Sequence, residues 1–130
     1  MNKYEAQHYY WSSFGLLAFD EQTVPDVIPD GNGGFKPLVE PYLTYETVDG
    51  RLDGIIPANA RLLYRGRSLK PITDKVIEME KKANRQIPLD GGGMMKVRVP
   101  FTNFARELDA PQDDQLRTMV ITVEIEFITY

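Results

Sequence analysis

The sequence predicts an α+β domain: a mainly antiparallel sheet of about four strands packed with two helices, in the order α-β-β-α-β-β. Three patterns predict it. At the C-terminal end Met119, Ile121, Val123, Ile125 and Phe127 take every second position, with Thr122, Glu124 and Glu126 between them. That alternation is a half-buried strand with one face on a core. Leu69, Ile72, Val76, Met79 and Ala83 recur at three- and four-residue spacing, the stripe of an amphipathic helix. Finally, short runs rich in Tyr, Thr and Val, broken by Asp-Gly pairs, read as strands joined by turns.

The elements follow in order. Residues 2–15 read as a helix: Asn2 caps it, Glu5 completes a box-like pair, and Gly15 is a left-handed stop. Ala6, Tyr10 and Phe14 form its stripe, extended toward Leu17, with Trp11 beside it. Two readings stand for the cluster Tyr9, Tyr10, Trp11 and Phe14: core anchors, or rings reaching a neighbouring subunit. Residues 20–40 are a long connection. From Asp26 to Pro37 there are two prolines and three glycines, so no regular ladder is expected there. Loops of such length are commonly functional, and Phe35 sits in it as an isolated apolar residue.

A strand is expected over 41–48, with Tyr42, Thr44 and Glu46 on one face and Leu43, Tyr45 and Thr47 on the other. A second spans 56–65, and the two form a hairpin with its tip near 50–54. Ser68 starts the main helix, with Pro71 in the first turn, where a missing N–H costs little. Asp74, Glu78, Lys81, Lys82 and Arg85 lie off its stripe, acids early and bases late. Pro88 ends that segment. Residues 90–93 are a turn before a strand over 94–99, in which Met95, Val97 and Val99 share a face and Lys96 and Arg98 point the other way. Residues 100–114 are expected to be irregular.

The chain has 130 residues and fits one domain, 1–130, with a long loop at 26–40. A chain of that size buries roughly 65–70% of its unfolded surface. The apolar fraction is 42%, the charged fraction 26% and the net charge −4, with a pI near 5.0. Bulk attraction to nucleic acid or anionic lipid is not expected. The absence of cysteine excludes disulfides, thiolate metal sites and a cysteine nucleophile. No apolar run approaches the ~20 residues that span a bilayer, and the opening Met1-Asn2-Lys3-Tyr4-Glu5 has no signal-peptide core. The expectation is a product of the cytoplasm that needs no membrane.

Little catalytic chemistry emerges. His8 is the only histidine, and a triad needs a nucleophile and an orienting acid around it. Gly91, Gly92 and Gly93 precede a strand rather than a helix, so they read as a turn and not as a phosphate loop. Asp109, Asp113 and Asp114 lack the ligand spacing and glycine of a calcium loop. The expectation is no enzyme, no cofactor and no metal.

Several short motifs occur in a fixed order: Trp11-Ser12-Ser13-Phe14-Gly15; Asp20-Glu21-Gln22-Thr23-Val24-Pro25-Asp26; Pro41-Tyr42-Leu43-Thr44-Tyr45; Tyr64-Arg65 followed by Ser68; Pro100-Phe101; Asp113-Asp114; and Glu126-Phe127-Ile128-Thr129. In this order and spacing the chain resembles the small tail terminator, tail completion and head–tail joining proteins of tailed bacteriophages. The resemblance runs from Trp11 to Thr129 and departs from the family pattern in a longer stretch around 26–40.

The resemblance implies a structural virion protein: an α+β subunit that assembles as a ring, commonly a hexamer, at the head-proximal end of the tail tube. The ring stops tube polymerisation and joins the tail to the neck. It implies as partners further copies of the chain, the tail tube protein, a neck or connector protein and the tape measure protein, with DNA only in transit. The place is the tail–neck junction of the virion, after assembly in the host cytoplasm. Closing a ring by rotation requires two different complementary faces on each subunit. The hairpin tip at 50–54 and the loops at 26–40 and 100–114 are the expected contact regions, with Phe35, Phe101, Phe104 and Arg106 as interface candidates. For Phe101 and Phe104 the competing reading is tucking under their own sheet. Glu124 and Glu126 are candidates for a channel wall, where carboxylates repel passing phosphate; plain solvent exposure is their other reading. The competing functions are a head-completion stopper or other connector component of the neck, a small enzyme, and a monomeric binding module.

Overall fold

Two long strands organise the molecule. The structure, a computed structural model, describes residues 1–49, 54–108 and 115–128. β5 (Ile55–Arg65) and β9 (Leu116–Ile128) pair antiparallel along the whole of β5, from Ile55 opposite Glu126 to Arg65 opposite Leu116. Alternation sorts their side chains. Ala58, Ala60, Leu62, Ile121, Val123 and Ile125 are buried on one face. Pro57, Asn59, Arg61, Thr122, Glu124 and Glu126 lie on the other.

The expected four-strand antiparallel sheet is corrected. Among the described residues there are nine strands and two helices. Seven strands form one mixed sheet in the order β1-β4-β5-β9-β7-β6, with β8 also on β9. The remaining two make a separate pair. β1 (Leu17–Asp20) runs parallel to β4 (Tyr42–Tyr45), which is antiparallel to β5. The far edge of β9 is shared by β7 (Met94–Arg98), on Glu124 to Ile128, and β8 (Ala105–Leu108), on Thr118 to Ile121. Between them the Thr122 N–H donates to the Phe104 carbonyl at 2.7 Å.

β1, β6 (Arg85–Pro88) and β8 were not expected as strands. Each has four residues, so alternation repeats at most twice and carries no periodic signal. Pro88 therefore does not close a helical segment but ends edge strand β6. Residues 100–114 are likewise not wholly irregular, since β8 lies within them. The 26–37 stretch does carry a ladder, β2 (Val27–Pro29) against β3 (Phe35–Pro37). The Leu38 N–H donates to the Asp26 carbonyl and the Asp30 N–H to the Gly34 carbonyl. Hydrogen-bonded rungs alternate in such a pair, so Pro29 and Pro37 fall on rungs that call for no N–H. The expected tip at 50–54 lies outside the described residues except for Gly54, as do Asp109, Asp113, Asp114 and Thr129.

Both helices cover the apolar face. α1 (Lys3–Ser12) has the expected cap: Asn2 Oδ1 accepts from the Glu5 N–H at 2.8 Å, and Glu5 Oε1 accepts from the Asn2 N–H at 3.1 Å. It ends at Ser12 rather than at 15, and Gly15, at φ +84°, turns the chain into β1. Ala6, Tyr10, Trp11 and Phe14 are all buried, while Leu17 is exposed. The Tyr10 hydroxyl donates to the Ala83 carbonyl at 2.9 Å, and burial pushes its pKa well above the usual tyrosine range. Gln7, fully buried, donates to the Val48 carbonyl at 2.8 Å and accepts from the Val48 N–H at 2.8 Å. Its amide thus replaces a missing strand partner.

α2 (Lys70–Lys82) buries Ile72, Val76 and Met79, followed by Ala83. Leu69, expected on the stripe, is exposed, because the helix begins one residue after it. Lys75 and Lys82 flank Glu78 on the outer face and hold its pKa below the usual carboxylate range.

Candidate functional site

Three surfaces stand out once the core is assigned. The first is the arm made of β2, β3 and their flanks. Its tip turns on Asp30, whose Oδ1 accepts from the N–H groups of Asn32 at 2.8 Å and Gly34 at 3.1 Å. Gly31 and Gly33 take φ values of +87° and +83°, which favour glycine. Along the arm apolar side chains point to solvent: Phe35 beside the tip is 71% exposed, and nearer the root Val39 is 65% and Val27 50% exposed. The arm is anchored at its root, where the Glu21 N–H donates to the Tyr45 carbonyl at 2.9 Å and Arg65 reaches Glu40 at 3.3 Å. Its charges are mainly acidic: Glu21, Asp26 and Asp30 against Lys36.

The second surface is the uncovered face of the sheet. Arg61 on β5 and Arg106 on β8 both stand opposite Val120 on β9. The two arginines flank a buried valine on one rung of the sheet, beside a cavity of about 150 Å³ that Glu21 and Glu46 also line. Further along, Arg98 Nε donates to Glu124 Oε2 at 2.7 Å, and Glu126 stands opposite Lys96. Glu124 and Glu126 are half-buried. As a channel wall they would carry less negative field than two free carboxylates, because the Arg98 cation offsets Glu124.

The interface candidates separate. Phe35 and Phe101 are exposed, Phe101 completely, and Arg106 is exposed on β8. Phe104 is only 6% exposed and belongs to the core, so its ring is already occupied within the subunit. The structure does not bring the four together: Phe35 is on the arm, while Phe101 and Arg106 lie at the β7–β8 side.

The third surface was missed from sequence. Along the outer strands β6 and β7, Asn84, Arg85, Gln86, Lys96 and Arg98 line a groove of about 440 Å³. It depends on Gln86 standing opposite Lys96, a pairing invisible while β6 was not read as a strand. The Arg85 guanidinium lies 5.3 Å from the centre of the Tyr9 ring, which links the groove to the exposed aromatics Tyr4 and Tyr9 of α1.

No protein-family model, curated protein or solved structure matches the chain. His8 sits on the α1 surface, its Nδ1 3.0 Å from the Tyr45 hydroxyl and its Nε2 3.4 Å from Ser12 Oγ. These partners are a phenol and a hydroxyl, and among the described residues no acid is hydrogen-bonded to the ring. Among the described residues no group of three His, Cys, Asp or Glu side chains is placed to hold a metal ion. No helix among them is long and apolar enough to cross a membrane.

Proposed function

We propose that this chain is a ring-forming structural subunit at the tail–neck junction of a tailed phage, the terminator of the tail tube. The observation that carries the reading is the arm. A two-stranded hairpin is marginal by itself in water, and this one turns Phe35, Val39 and Val27 away from its own core. Such a feature gains stability by docking on another molecule. The ordered motifs from Trp11 to Thr129 direct the choice of assembly. In this mechanism the rigid β5–β9 unit sets the shape of each subunit. Subunits contact one another through unlike faces until rotation closes the ring. The closed annulus then covers the last layer of tube protein and offers its other side to the neck protein.

Electron microscopy of particles made with and without this gene tests the proposal. With the product, labelled protein forms an annulus at the head-proximal end of tails of uniform length. Without it, tubes of uncontrolled length or tails unable to join heads are expected. Normal tails joined to heads in its absence, or the label elsewhere on the virion, would contradict it.

A further inference from the structure

We infer that the acidic arm of one copy docks in the cationic edge groove of a second copy, the head-to-tail contact from which the ring closes. The inference builds on the proposed ring and assigns its two unlike faces. Position supports it first. The arm rises between β1 and β4, at one end of the strand order β1-β4-β5-β9-β7-β6, and the groove lies on β7 and β6 at the other end. Surfaces so placed repeat by rotation from copy to copy.

Charge supports it second. The groove is lined by Arg85, Lys96 and Arg98, and among the described residues no carboxylate lines it. Arg98 is held by Glu124, which stands beside the groove. Among the described residues Arg85 and Lys96 form no ion pair, and neither do Asp26 and Glu21 on the arm, Glu21 standing at its root in a cavity shared with Arg61 and Arg106. Glu126 stands opposite Lys96 without pairing to it. Two copies with a net charge of −4 repel each other as wholes, so a local match of acid to base sets register as well as attraction.

Apolar character supports it third. Phe35 and Val39 are largely exposed in their own subunit, and Tyr9 beside Arg85 extends the groove with an exposed ring. Among the described residues no strand pairs with the outer edge of β6, and an unpaired edge can accept an extended partner. The arm with its flanks supplies about twenty residues, the low end of a standard interface side.

The test uses full-length protein, half of it labelled with ¹⁵N, with a carbodiimide cross-linker that joins contacting carboxylates and amines. Mixed-isotope cross-links from Glu21 or Asp26 to Lys96 are expected at low salt, fading at high salt. In sedimentation, R85E/K96E and E21K/D26K should each stay monomeric with unchanged circular dichroism. Mixed together they should regain the wild-type oligomer, because each acidic surface then meets a basic one. Wild-type oligomers that survive both double variants without that cross-link would overturn the docking and leave the ring standing. A wild-type chain that stays monomeric even with tail tube protein would overturn both.

Discussion

The β5–β9 pair and the β2–β3 arm are both antiparallel, yet one is the foundation of the molecule and the other an appendage. β5 and β9 pair over eleven rungs, from Ile55–Glu126 to Arg65–Leu116, with one face sealed by helices. The arm pairs over three rungs and leaves Phe35, Val39 and Val27 in water. Both regions are hydrogen-bonded, so burial of the apolar face is what is expected to make one more stable than the other. Buried apolar surface is concentrated in one region, and exposed apolar surface in the other.

Substitutions should separate the two. The largest loss of stability is expected from Leu62→Ala, which empties a fully buried site on β5. It should cost about 2–5 kcal/mol, read as a lower denaturation midpoint. Gln7→Leu comes next. It strands the Val48 N–H and carbonyl that the amide now satisfies, and about 1–3 kcal/mol is expected. Tyr10→Phe should cost about 1 kcal/mol through its lost bond to the Ala83 carbonyl.

That last variant also changes the response to alkali. The Tyr10 pKa is raised in the folded state, so the folded chain keeps a proton that the unfolded chain releases. Stability is therefore full below the unfolded tyrosine value, near 10, and falls as pH rises above it. Tyr42, Tyr45 and Tyr64 are shifted the same way by burial. Urea denaturation between pH 8 and 11.5 should show the fall in wild type and a shallower one in Tyr10→Phe. The smallest effect on stability is expected from Phe35→Ser, within about 0.5 kcal/mol of wild type, although the same change should weaken assembly.

The contrast also marks what was legible in sequence. Met119 to Phe127 and Leu69 to Ala83 announce themselves because their periods repeat several times. The capping pair Asn2 and Glu5 was legible because it is local. β1, β6 and β8 were not, because four residues show too little alternation, and β1 in addition has its partner β4 far away in sequence. The parallel β1–β4 pair depends on contact across the whole arm. The ladder within the arm was hidden by its prolines, which occupy rungs where they do no harm. Phe35 was visible as an isolated apolar residue, and the structure leaves it exposed. Phe104 looked similar in sequence, but β8 carries it into the core. The groove at Arg85 and Lys96 needed the β6–β7 register and had no local signal.

Amide hydrogen exchange, followed residue by residue in the isolated subunit and in the proposed assembly, tests the division between core and arm most directly. The amides of Ile28 and Lys36 should exchange fast in the free chain, far ahead of Ile121 and Val123, and become protected on assembly. Arm amides as protected as β9 in the free chain, or equally unprotected in both states, would contradict it.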